Sequence, residues 1–433
     1  MKILQFIKSD GFTKYFSNTS WILLEKIFRI SINLVISIWL ARYLEPNMFG
    51  LFNYCQSIIG LFSAIPNLGL DSIVVKKLVE NPKESDTILG TAFLMKCIAS
   101  LVTIILIVSA LFLLDNSSDI TTLTFILSIT MLFQSLNTIE FYNQSTVQVH
   151  LTSKANILTL FISSLLKIFF ILSNASIYYI CFAFLIESVL YAIGLIYVYV
   201  KSNRSLFHWT FNPVKAKAYF LSATPLVLSG IVVSIYLKID QIMIKELLNT
   251  YELGIYSAAI KVSQGWYFLP VAICTSLYPA ILNARKDSIQ KYYGRLQNLF
   301  TFLIWSAIIV SVPIIYLSDD IISILYGDLY KNAGYVLSIH FISSVFVFAG
   351  VASGRWYLAE EEHKLAFLRT LLGAISNIVL NYILIIKYGI IGAAYSTLIA
   401  HAISSFFFDL LFKKTRILFM LKLKAFMFKY ITD

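Results

Sequence analysis

A chain of 433 residues with 58% hydrophobic and only 13% charged residues is excluded from the soluble globular class, whose members carry about a quarter of their residues as charges. Its apolar residues fall in blocks of about 20, the length of a bilayer-spanning helix, so the composition describes a polytopic membrane protein. The formal charge of +11 comes without any basic patch interleaved with aromatic residues, and no nucleic-acid partner is expected.

The first stretch, "MKILQFIKSDGFTKYF", is basic and amphipathic. It lacks a compact apolar core followed by a small-residue cleavage site, so it reads as a cytoplasmic surface segment. Apolar windows then predict helices over 18–41, 48–68, 88–114, 120–142, 155–173, 176–200, 220–243, 254–282, 297–317, 333–357, 365–386 and 389–412. With the N-terminus inside, the segments assigned to the opposite face hold only Arg42, Lys245, Lys331 and Lys387, whereas the cytoplasmic ones hold most of the lysines and arginines. That bias puts both termini in the cytoplasm, because basic loops resist translocation. External connections such as "LDNSSDI" and "LSDDI" are short, which leaves no room for an extramembrane domain.

The four cysteines, Cys55, Cys97, Cys181 and Cys274, lie inside apolar blocks without metal or CxxC spacing, and read as small buried hydrophobes. The histidines show no metal-ligand spacing; His340 and His401 read as packing residues. Gly350 and Gly354 form a GxxxG, a signal for close helix contact. No DxD, Walker A, GxGxxG or GxSxG stretch occurs, so no enzyme is expected.

The chain also repeats. "LEPNMFGLFN" from Leu44 and "LNTYELGIYS" from Leu248 share Leu, Gly, an aliphatic, an aromatic and a small polar residue, and Phe16 and Phe220 obey the same offset of 204. The expected fold is therefore all-α: twelve transmembrane helices in two six-helix bundles related by a pseudo-two-fold axis along the membrane normal. The expected divisions are an N-terminal lobe over 1–200, a cytoplasmic linker over 201–219, a C-terminal lobe over 220–412 and a basic cytoplasmic tail over 413–433.

Several stretches resemble one family. "ARYLEPNMFGLFNYCQSI", "NLGLDSIVVKKL", "PLVLSGIVVSIYLKIDQIMIKELLNTYELGIYSAAIKVSQGWYFLP", "SLYPAI", "GRWYLAEEEHK" and "YGIIGAAYSTLI" are similar to the Wzx-type O-antigen flippases of the polysaccharide-transport family, relatives of the MATE transporters. Family members often carry Gly where this chain has Glu45, which alters a turn. The resemblance implies a flippase in the bacterial inner membrane. It would carry undecaprenyl-diphosphate-linked repeat units of O-antigen or a related polysaccharide from the cytoplasmic to the periplasmic leaflet by alternating access. It implies no cofactor beyond a coupling proton or sodium ion, and a polymerase and chain-length regulator as partners. A MATE-like ion-coupled antiporter of small molecules is the alternative.

The first span carries Glu25, Lys26 and Arg29 on one helical face. Each such charge costs about 2.5–3.5 kcal/mol at the centre of a spanning helix. Either the face lines a wet cavity that holds an anionic diphosphate headgroup, for which the planar guanidinium is suited, or Glu25 and Arg29 are a structural ion pair. In the cavity reading Arg29, Lys26, Lys261 and Lys238 are candidate headgroup contacts, and Asp240 and Glu25 are coupling or gating carboxylates. Asp240 and Lys261 are expected to pair or compete. Lys167 and Glu187 read as a structural ion pair, while Lys96, Glu140 and Arg355 lie near span ends, where long side chains snorkel.

Overall fold

In the computed structural model residues 10–113 and 117–428 are described, 10–19 by backbone alone. Most of the basic N-terminal stretch, the start of "LDNSSDI" and the last residues of the tail lie outside the described residues. All regular structure among the described residues is helical. In chain order it comprises α1 (Asp10–Phe62), α2 (Asp71–Glu80), α3 (Ser85–Leu113), the interrupted α4 (Ser118–Ser145), α5 (Val149–Leu172) and α6 (Ile177–Lys201). There follow α7 (Pro213–Leu247), α8 (Thr250–Gly265), α9 (Phe268–Asp287), α10 (Ile289–Tyr316), α11 (Ser318–Tyr326), α12 (Ala333–Ala359), α13 (His363–Ser405) and α14 (Arg416–Phe426).

Ten segments are long and apolar enough to cross a membrane. The helices at their two extremes are each broken once, α1 at Glu45 (φ 55°, ψ 170°) and α13 at Gly389 (φ 61°, ψ −142°). Division at these breaks is consistent with twelve crossings. The α1 break follows from Pro46, which drives the residue before it out of the helical region while itself starting a helix well. Glu45 is left in backbone space that glycine occupies freely. The expected eighth span, 254–282, lies within one candidate span, Thr250–Asp287, which is interrupted at Trp266 and Tyr267. Side-chain caps mark other starts. Asn249 accepts from Glu252 N (2.9 Å) and Ser288 from Lys291 N (3.1 Å), satisfying amides that a helix start leaves open.

The chain divides into two compact units. One comprises the residues up to Ile36 with Cys55–Ser234, the other Ser37–Tyr54 with the residues from Ile235 onward. The division thus falls within α1 and α7 rather than at the linker. The linker packs with the first unit: Trp209 Nε1 donates to Tyr199 Oη (3.0 Å), and Asn212 N to Thr91 Oγ1 (3.0 Å). Its core gathers Leu70, Val74, Leu89, Ile139 and Tyr199. In the second unit the core gathers Tyr292, Phe300, Phe348, Trp356 and Tyr357 with Leu418 and Leu421 of α14. Within the stretch read as the basic tail, residues 416–426 form a packed helix. Trp305 Nε1 donates to Ala425 O (2.9 Å). Lipid tails are as apolar as these cores, so close packing and internal polar bonds give each unit its cohesion.

Candidate functional site

Glu25 and Arg29 lie one turn apart on α1, and Arg29 Nη2 donates to Glu25 Oε1 at 2.9 Å. The same oxygen accepts from Asn156 Nδ2 of α5 at 3.2 Å. Asn156 Nδ2 also donates to Glu140 Oε1 of α4 at 2.8 Å, and Tyr191 of α6 bonds to Glu140. Four helices thus converge on two carboxylates, one guanidinium and one bridging amide. The guanidinium side is the open one, with 38% of the Arg29 side chain exposed against 16% of Glu25. Lys26 is exposed, and among the described residues no hydrogen bond or ion pair holds it.

Other charged side chains within the spans have partners of their own. Lys167 of α5 pairs with Glu187 of α6 beneath the Phe184 ring, 3.8 Å from its centroid. Lys96 of α3 donates to Asn137 Oδ1 (2.7 Å) and reaches Asn67 Oδ1 (3.5 Å). Lys96 and Glu140 therefore do not snorkel, contrary to the expectation from their positions near span ends. Lys96 is buried and Glu140 partly so, because amides from neighbouring helices supply the partners that water would supply at a span end. Arg355 turns sideways onto α9, donating to Thr275 Oγ1 (2.7 Å) over the Tyr278 ring.

In the second unit Asp240 of α7 is buried and accepts from Tyr256 Oη of α8 (2.7 Å) and from Gln241 N (2.8 Å). It forms no ion pair with Lys261. Lys261 lies five residues beyond Tyr256 on α8, turned about 140° away from it. Lys238 is flanked by Asp240 without an ion pair. Nearby, Tyr236 Oη bonds to His401 Nδ1 (2.7 Å) and Ser404 Oγ (3.2 Å), and the His340 ring packs edge-on against Tyr256. Of the expected glycine pair, Gly350 abuts Ser405, while Gly354 faces open space.

Glu25 with Arg29, and Lys167 with Glu187, are brought together; Asp240 with Lys261 are not. Asn156 and Tyr191 are the participants that charge counting passes over, and Glu140 joins them from a position read as a span end. A signal for Asn156 exists in α5, where Ser153, Asn156, Ser163 and Lys167 fall at helical spacing on one buried face.

The family model described as "Polysaccharide biosynthesis protein" matches residues 16–285, more than half of the chain. The chain belongs to this family. The matched stretch contains the whole Glu25–Arg29–Asn156–Glu140 cluster and Asp240. A second family model, MatE, matches residues 225–383. Among polysaccharide biosynthesis relatives, the chain is 22% identical to the capsular polysaccharide biosynthesis protein CapF of Staphylococcus aureus, over 89% of this chain and 96% of CapF. It is 27% identical to the probable low-salt glycan biosynthesis flippase Agl15 of Haloferax volcanii, over 44% of this chain and 40% of Agl15. Among solved structures, it matches the lipid II flippase MurJ in an inward closed conformation with a TM-score of 0.69 at 19% identity, covering 96% of this chain and 94% of that one. An inward-facing MATE family multidrug resistance transporter of the MOP superfamily matches with a TM-score of 0.69 at 13% identity, covering 93% and 98%. At such identities the likeness shows a shared fold: this family member is a multi-span membrane protein of the MurJ and MATE architecture.

Proposed function

We propose that the protein is a polysaccharide flippase that moves undecaprenyl-diphosphate-linked oligosaccharide repeat units from the cytoplasmic to the outer leaflet of a bacterial inner membrane by alternating access. Both termini lie in the cytoplasm on this reading, and a polymerase and chain-length regulator act downstream. Family membership supports transport in polysaccharide biosynthesis, and likeness to CapF makes a capsular polymer as good a destination as O-antigen. The observation that carries the site assignment is Arg29, a half-open guanidinium within a spanning helix. Its cost in lipid is offset by the Glu25 pair, and its planar donors match phosphate oxygens. Lys26 adds a second cation on the same helix; Lys238 and Lys261 hold this role less directly. Glu25 and Asp240 are the candidates for coupling to a proton or sodium gradient.

The MatE match over 225–383 favours a second reading, an ion-coupled antiporter of small molecules. Complementation of a strain that lacks its own repeat-unit flippase, supplied with a matched glycan pathway, separates the two. Restored surface polysaccharide, lost in Arg29→Ala at normal membrane levels, supports the flippase. Failure at normal membrane levels, with gradient-driven efflux of a small molecule, supports the antiporter.

A further inference from the structure

Two donors from different helices share one oxygen of Glu25: Arg29 Nη2 at 2.9 Å and Asn156 Nδ2 at 3.2 Å. A carboxylate oxygen has lone pairs for both, so either donor can leave without orphaning the other side of the contact. Arg29 is the partner open to a ligand, and Glu25 is the more enclosed one. Asn156 cannot easily follow Arg29, because its amide nitrogen is also fixed on Glu140 Oε1 at 2.8 Å and its side chain is buried.

From this we infer that Glu25 is a built-in competitor for the headgroup site. It occupies Arg29 when no anion is bound, and is retained by Asn156 when an anionic headgroup takes the guanidinium. The inference rests on the reading that Arg29 meets a phosphate-bearing headgroup. The exchange is a swap of like for like, in which one oxyanion replaces another on the same donor fork, so Arg29 is never left as an unpaired charge in a spanning segment. Its cost is local. The freed Glu25 then stands beside Glu140, with the single Asn156 amide between the two carboxylates. That crowding of acidic groups opposes long residence of the ligand, and a carrier needs a site that lets go. Asn156 is accordingly a positioning residue that acts through Glu25.

The test is binding of farnesyl diphosphate to the purified full-length protein, with farnesol as the uncharged control. Arg29→Gln reports on the underlying reading: it should weaken diphosphate binding at least about tenfold, the scale of one charge-assisted hydrogen bond, with farnesol unaffected. Glu25→Gln should tighten diphosphate binding by about tenfold and slow its release. Asn156→Ala should weaken it in the wild-type background and do nothing in the Glu25→Gln background, because there is then no carboxylate to retain. Glu25→Asp keeps the charge on a shorter arm, and should fall between the wild type and Glu25→Gln. If Arg29→Gln loses binding while Glu25→Gln binds no tighter than the wild type, the competitor role is wrong and the Arg29 site stands. An Asn156→Ala effect that persists in Glu25→Gln also overturns the role. If Arg29→Gln binds normally, the site and the competitor fall together.

Discussion

Gly50 and Gly254 face each other's helices across a reciprocal crossing within the second unit. A Cβ on Gly50 would stand 1.8 Å from Thr250 O, and one on Gly254 1.9 Å from Pro46 O. Gly254 follows Gly50, and Thr250 follows Pro46, by the same 204 residues that separate the two halves of the sequence repeat. Such pairwise reciprocity is the mark of a two-fold relation, in which each patch contacts its own equivalent. The backbone atoms in the way cannot rotate aside as a side chain could. Gly50→Ala and Gly254→Ala should therefore each destabilise the protein by about 3 kcal/mol, the upper end of overpacking costs. Thermal unfolding in detergent checks this, and equal losses at the two sites would match the reciprocal geometry.

Glu45 poses the opposite case, a side chain where glycine fits better. Its φ of 55° and ψ of 170° lie in a region that costs a non-glycine residue about 1–3 kcal/mol, and the side chain is exposed. Glu45→Gly should raise the unfolding temperature and leave transport unchanged. A lower unfolding temperature would mean that the carboxylate contributes something its exposure does not reveal.

Much of this fold is legible because lipid imposes a strong rule: long apolar helices separated by polar turns. The spans, the 204-residue repeat and the charged face of α1 all follow from it. What escapes is where neighbouring helices place uncharged amides. Asn156, Asn137 and Asn67 carry no charge and barely alter an apolar window, yet they decide that Glu140 and Lys96 stay inside. Depth along a span does not decide burial for those two residues. The packing of the tail helix is not legible for another reason. Residues 416–426 are too short to cross and too basic to look buried, and the partner that buries Lys422 is Asp409, on the far side of a turn.

Lys422 and Asp409 are fully enclosed as an ion pair, with Lys422 Nζ also donating to Ser405 O (2.6 Å) and Tyr357 Oη to Asp409 Oδ1 (2.6 Å). Breaking a buried pair from one side leaves an uncompensated charge, at a cost of about 3–5 kcal/mol. Lys422→Met or Asp409→Asn should therefore strip α14 from the core and expose it to proteolysis. The double variant Lys422→Met/Asp409→Leu should recover much of the loss. Limited proteolysis followed by mass analysis of the C-terminal fragment gives the readout.

Lys96 fastens α3 to α4 through Asn137 Oδ1 at 2.7 Å. Lys96→Met removes the donor and leaves two amide oxygens without it, so a loss of about 1–3 kcal/mol is expected. Lys96→Met/Asn137→Leu should be less destabilised than the sum of its single variants, since neither partner then remains unmatched. Additive losses would show that the contact contributes little.

Asp240 is held by Tyr256 Oη at 2.7 Å and Gln241 N at 2.8 Å, which leaves a structural and a coupling role to be separated. Tyr256→Phe removes one charge-assisted bond and should cost about 1–2 kcal/mol, as interhelical bonds in membranes do. If the carboxylate only ties α7 to α8, Asp240→Asn should lower the unfolding temperature by about as much, and transport should fall only with the amount of folded protein. If Asp240 couples transport to an ion gradient, Asp240→Asn should instead abolish gradient dependence while leaving substrate binding and thermal stability close to the wild type. Substrate uptake into proteoliposomes with and without an imposed proton or sodium gradient distinguishes the outcomes. A variant that transports normally and still responds to the gradient would remove Asp240 from the coupling path.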